Sequence, residues 1–133
     1  MLAMYLKSSI AALALAATTP AAAHHAFSAQ FDIDKPLTVT GTVTKVEWRN
    51  PHTWFYIDVA DADGNITSWA VELASPNLLM RNGWSRSSMQ AGDVVSVEGY
   101  RARDGTHTAN AKRVVLTATG QTVLTGRNAR DDR

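Results

Sequence analysis

The sequence predicts an all-β chain with one short helix, wound into a small five-stranded barrel. Three observations predict it. A long Val/Thr alternation over 37–48 changes its apolar parity partway along. The next alternating runs are separated by tight Asp/Gly turns. One Ser-Pro helix start falls between the third run and the fourth. Period-two patterning with β-branched residues is the mark of a strand. A parity change inside one strand marks a bulge, the device that lets a long strand serve two sheets.

The elements follow in order. Leu37, Val39, Gly41 and Val43 alternate with threonines, and the apolar positions then shift to Val46 and Trp48. The bulge is therefore expected near Thr44-Lys45, with Gly41 easing the bend. Asn50-Pro51 ends the first strand, because proline cannot continue the ladder and restrains the residue before it. The second strand is expected over His52–Ala60, with Phe55, Ile57 and Val59 on one face and Trp54, Tyr56 and Asp58 on the other. The third is expected over Ile66–Leu73, with Trp69, Val71 and Leu73 inward.

The turn between them fixes the register. A two-residue Asp63-Gly64 loop would set Phe55 opposite Glu72 and mix core with polar positions, which strand pairing does not tolerate. A longer loop with Gly64 in the left-handed region pairs Ile57 with Trp69 and Phe55 with Val71. The outer face then pairs Trp54 with Glu72, Tyr56 with Ala70 and Asp58 with Ser68.

Ser75-Pro76 is an N-cap followed by proline at the first helical position, so a short helix over Asn77–Asn82 is expected, stopped by Gly83. A tight turn at Ala91-Gly92-Asp93 leads into a fourth strand, Val94–Arg101. A hairpin at Arg103-Asp104-Gly105 precedes a fifth, Asn110–Thr117, and Thr122–Thr125 could add a short edge strand. Three strands, a helix and two strands is the order of an OB-fold-like barrel. An SH3-like or open sandwich arrangement is the competing reading.

Length and charge set the context. The 133 residues suffice for one domain. Lys7, the Ala/Leu run 10–17 and the small residues Ala21-Ala22-Ala23 form the pattern of a cleavable secretory signal, and the apolar run is too short to span a bilayer. The expected organisation is a signal peptide over 1–23, an N-terminal arm over 24–36, the OB-fold-like barrel over 37–125 and a flexible tail over 126–133. Cleavage after Ala23 would leave 133 − 23 = 110 residues with 12 basic and 12 acidic side chains. That balance points away from a nucleic-acid partner. There is no cysteine, hence no disulfide and no lipoprotein anchor. The expectation is a periplasmic or secreted protein with no membrane span after signal cleavage.

A group of motifs runs through nearly all of this expected mature chain. They are His24-His25-Ala26-Phe27, Gly41-Thr42-Val43, Val46 through His52, Trp69, Glu72, Ser75-Pro76-Asn77, Gly83-Trp84, Gly92-Asp93-Val94-Val95 and Arg101 through Gly105. With them the chain resembles a family of exported bacterial proteins known only as a domain of unknown function. Its members carry a His-His-Ser-Phe-like motif and a Glu-Trp-x-Asn-Pro-His motif. Ala26 departs from the usual serine. The resemblance implies export and a common fold, and it brings no activity with it.

Three clusters could carry chemistry. A terminal His24 would offer its amine and imidazole to one ion, and an imidazole from His25, His52 or His107 would complete a nitrogen set suited to copper(II). Cleavage one residue earlier would instead place His24 second and His25 third, another arrangement that binds copper(II). Read blandly, the two histidines are polar residues of an arm. His52 sits at the mouth of the second strand on the side of Trp54 and Tyr56; its structural role would be to lock the turn through Glu47 or Asn50. Trp54, Tyr56 and Glu72 would together form an aromatic wall with a carboxylate, suited to a cation, a sugar ring or a partner protein, unless Phe27, Phe31 or the arm covers it.

Other features read as structure. Asp61-x-Asp63-Gly64-Asn65 is a turn and not a calcium loop, since the full ligand spacing is missing. Ser85, Ser87 and Ser88 lack a nucleophile context. Arg101, Arg103, Lys112 and Arg113 read as a solvated basic rim. No catalytic set stands out, which points to a non-enzymatic binding module for a small ligand or an envelope protein. The expected ligand residues are His52, Trp54, Tyr56 and Glu72; the expected metal residues, with copper as the candidate cofactor, are His24, His25 and His52. A structural subunit of an envelope complex is a further possibility.

Overall fold

The structure, a computed structural model, describes residues 27–124. The expected leader, the first residues of the arm and the tail lie outside them. A helical turn at 27–30 leads into β1 (Phe31–Glu47). There follow β2 (Trp54–Ala60), β3 (Ile66–Glu72), α1 (Pro76–Arg81), β4 (Val94–Ala102), β5 (Thr108–Leu116) and β6 (Thr122–Leu124).

The hydrogen-bonded order is β3-β2-β1-β4-β5-β6, and a parallel pairing of β3 with β5 joins the two sides. Five strands thereby close on themselves, with β6 added beside β5. Strand order, closure and helix position are those of an OB-fold-like barrel.

β1 makes the closure possible. Its first part pairs with β4 and its last part with β2, and Thr42 pairs with both Asp58 and Val94. The register slips between Val43 and Lys45, where the apolar parity changes. Gly41 lies just before that point. A Cβ there would come within 2.5 Å of the Asp58 carbonyl oxygen, so the coil needs a residue without one.

The β2–β3 register is the one the two-faced pattern requires. Ile57 faces Trp69, Phe55 faces Val71, Trp54 faces Glu72, Tyr56 faces Ala70 and Asp58 faces Ser68. Gly64 turns the loop at φ 83°. Asp61 secures it, its carboxylate accepting from the amides of Asp63 and Asn65 and from the Asn65 side chain. Those hydrogen bonds, from Asn65 above all, hold the Asp61 carboxyl below its usual range.

The core fills the barrel from the inward faces. Phe55, Ile57, Val71, Val95, Val97 and Val114 are fully buried. Leu79 of α1 and Trp84 beyond it join this core. Ser75 caps the helix by accepting from the Leu78 amide, and Gly83 at φ 90° ends it. Removing a side chain such as Phe55 would cost about 3–5 kcal/mol.

Three strand starts differ from expectation by two residues or more, and other element ends move by one. β1 begins at Phe31 and not at Leu37, because Phe31 and Asp32 pair with Ala102 and Arg101. A register slip between Asp32 and Pro36 erases any alternation there, so residues 31–36 of the expected arm are strand. β5 begins at Thr108, since 108–110 pair with β3. β2 begins at Trp54, although Thr53 still exchanges main-chain bonds with Leu73 and Ala74.

Candidate functional site

The outer face of β2 and β3 brings four expected residues together. Trp54 and Glu72 are cross-strand partners, and Tyr56 lies two residues along the same face. His52 precedes β2 on the parity of Trp54. Its Nδ1 donates to Glu72 Oε1. The histidine lock is thus made with Glu72, and not with Glu47 or Asn50. Asn50-Pro51 is a cis peptide that forms the corner just before it.

The pair is asymmetric in burial. The Glu72 side chain is 6% exposed and that of His52 49%. A carboxylate so enclosed is costly to desolvate and needs a partner. With Nδ1 donating to Glu72, the ring is held in one tautomer and Nε2 remains as its acceptor nitrogen.

The neighbouring carboxylate is spoken for. Glu47 meets Lys45 Nζ at 2.5 Å and Arg49 Nε at 3.5 Å, and accepts from the Tyr56 hydroxyl at 3.2 Å. The Lys45 contact draws the Glu47 carboxyl below its ordinary range and raises the Lys45 ammonium above its own. Arg49 lies 5.8 Å over the Trp54 ring and Lys45 5.7 Å over Tyr56. The aromatic wall therefore carries two cations of its own, which makes it a poorer platform for a foreign cation.

On its other side the face continues across the β3–β5 seam. Glu72 pairs with Asn110, and Asn110 with Tyr100. The Asn110 Oδ1 atom is buried and has no hydrogen-bond partner among the described residues. Beyond Tyr100 lies a small aromatic cluster. Phe27 packs on Phe31 at 5.4 Å and edge-on to Tyr100 at 6.4 Å. Of the two readings of this face, the one in which Phe27 or Phe31 covers Trp54 is not the arrangement found: they pack at the Tyr100 end, and Trp54 stays half-buried beside Arg49.

Arg103 fixes that cluster. Its Nε donates to the Ser28 carbonyl at 2.6 Å, its amide donates to the Gln30 carbonyl at 2.9 Å, and Nη1 lies 3.5 Å from Asp32 Oδ2. Arg101 lies over Trp69 and donates to the carbonyls of Gly105 and Thr106. Arg113 pairs with Glu98. Arg101, Arg103 and Arg113 thus each have partners of their own while staying at the surface. His107 stacks edge-on against Trp69, a core-facing residue, so its ring is not on the His52 face.

His24 and His25 lie outside the described residues. Within those residues no group of three or more histidine, aspartate or glutamate side chains could hold a metal. Nor is any helix among them long and apolar enough to cross a membrane. Sequence reasoning missed Asn110, Arg49 and Arg103. Asn110 alone carried a signal: a polar side chain in a run of small residues, opposite a strand bearing a carboxylate.

Comparisons with known proteins bear on the fold and family. No curated protein matches the chain. Among solved structures it is similar to the mitochondrial single-stranded DNA-binding protein Rim1 of S. cerevisiae. The identity is 12%, with a TM-score of 0.47 over 70% of this chain and 98% of that one. A model of a family of unknown function, DUF6152, matches residues 12–111, three quarters of the sequence. By that match over most of its length, the chain belongs to the DUF6152 family.

Proposed function

We propose that the protein is an exported, non-enzymatic binding module that takes a small ligand or ion on the outer face of β2 and β3, beside His52. The observation that carries this reading is the buried Glu72 carboxylate bonded to an exposed imidazole. The interior needs no such group, and hydrophobic residues would fill the position at lower cost. What the pair does supply is an oriented ring nitrogen next to Trp54. Export rests on the signal-like N-terminus, and the near balance of 13 basic and 12 acidic side chains favours a small ligand over nucleic acid.

Amide NMR of the purified protein, titrated with zinc(II), a polyamine and a hexose, tests the reading. At least one probe should shift resonances centred on Trp54, Tyr56 and Ala70. A His52→Ala/Trp54→Ala double variant, stripped of both imidazole and aromatic, should lose the response. A response that survives the double variant, or one centred elsewhere on the barrel, overturns the proposal.

A further inference from the structure

We infer that this face takes a hydroxylated ring bearing one carboxylate, a hexuronate, with Arg49 holding the carboxylate and His52 a ring hydroxyl. The inference rests on the binding face proposed above and names its ligand.

Arg49 is placed for an anion and is only partly engaged by the fold. Its guanidinium stands 5.8 Å from the centre of the Trp54 ring, and its side chain is 56% exposed. Among the described residues its ionic contact is from Nε to Glu47 Oε2 at 3.5 Å, and Lys45 holds that carboxylate more closely, at 2.5 Å. Nη1 and Nη2 donate to nothing among the described residues. That end of the guanidinium is open to a planar oxyanion, which it meets with two parallel hydrogen bonds. Lys45 lies over Tyr56, so both cations of the face stand on its β1 side.

The β3 side offers an acceptor instead. Glu72 is the cross-strand partner of Trp54 and takes the Nδ1 hydrogen bond of His52, which leaves Nε2 to accept. Glu72 is itself enclosed and does not present its charge to the surface. Between the two sides lies the half-buried Trp54 ring, a flat apolar surface for the C–H face of a sugar. A foreign cation would be repelled by Arg49 and Lys45. A neutral hexose would leave the guanidinium unfilled, and a phosphate dianion would press two charges against Glu47 beside it. One carboxylate with neighbouring hydroxyls satisfies both ends of the face.

The test titrates the full chain with glucuronate, glucose, acetate and a hexose phosphate, read by NMR of the amides and of the Arg49 side chain. Glucuronate should shift Arg49 and Trp54 and bind at least about 10-fold more tightly than glucose or acetate, the size of one charge-assisted pair. Arg49→Gln, at an exposed position, should leave the barrel's spectrum in place and bring glucuronate down to the level of glucose. Arg49→Lys keeps the charge without the fork and should recover only part of the preference. His52→Ala should weaken glucuronate and glucose by the same factor, because it removes the acceptor and not the fork. Equal affinity for glucuronate and glucose, a preference that survives Arg49→Gln, binding indifferent to His52→Ala, acetate as strong as glucuronate, or tighter binding of the hexose phosphate each overturns the inference. Should glucuronate fail while zinc(II), the polyamine or the hexose still shifts the β2–β3 face, the hexuronate assignment falls and the binding face stands. Should no probe act there, both fall.

Discussion

Thr53 is the side chain whose position is least explained by the barrel alone. It is 0% exposed, and its Oγ1 has no hydrogen-bond partner among the described residues. It lies between His52, which faces outward, and Phe55, which is core. An unsatisfied buried hydroxyl costs about 1–3 kcal/mol, and valine has nearly the same shape. Thr53→Val should therefore leave the protein as stable or stabilise it by up to about 1–2 kcal/mol, read as a higher urea midpoint at unchanged slope. A loss of stability would mean that the hydroxyl has a donor after all. At this scale the sequence was legible in part. Parity alone put His52, Trp54, Tyr56 and Glu72 on one face. The His52–Glu72 bond was not foreseen, because the search for a histidine partner stayed within the corner. The cross-strand partner of Trp54 was the better candidate, and the Trp54–Glu72 pairing already pointed to it.

Among the elements, β1 carries the architecture. It must leave β4 and join β2 within a few residues, and Gly41 with the bulge at Val43–Lys45 is how it does so. A methyl group at Gly41 would press on the Asp58 carbonyl and on Val59. Backbone cannot yield there without disturbing the β1–β2 ladder. Gly41→Ala should cost about 1–3 kcal/mol, as overpacking does, while an alanine at exposed Thr38 on the same strand should cost well under that. Urea unfolding of the two variants separates them, and equal effects would remove Gly41 from its role. The bulge was readable because the faces of this strand differ so sharply in polarity that a one-residue slip shows as a change of parity. The start of β1 was not. Its residues 32–36 are mostly exposed or half-buried and cross a second register slip, so burial imprints no period on them. The start of β5 was hidden for another reason. Thr108-Ala109-Asn110-Ala111 alternates polar with small apolar residues, which matches a loop as well as a strand packed closely at a seam.

For the molecule as a whole, the question is how firmly the chain before β1 is tied to the barrel. The β3–β5 seam closes the ring, and the β4–β5 hairpin next to it provides the anchor, Arg103. Three interactions converge on that residue, one of them the 2.6 Å bond from its Nε to the Ser28 carbonyl. They lie at the surface, where single ion pairs contribute about 0–1 kcal/mol to global stability. Their effect on the short segment 28–32 is larger than that, because all three act directly on it, beside the packing of Phe27 on Phe31 and Tyr100. Arg103→Ala should therefore change the melting temperature only slightly, while amide exchange over residues 28–32 rises several-fold and that over β2 stays as it was. Unchanged exchange at 28–32 would show that the aromatic cluster alone seats the segment. Exchange that rises throughout the barrel would show that Arg103 is part of the fold's global stability and not a local anchor.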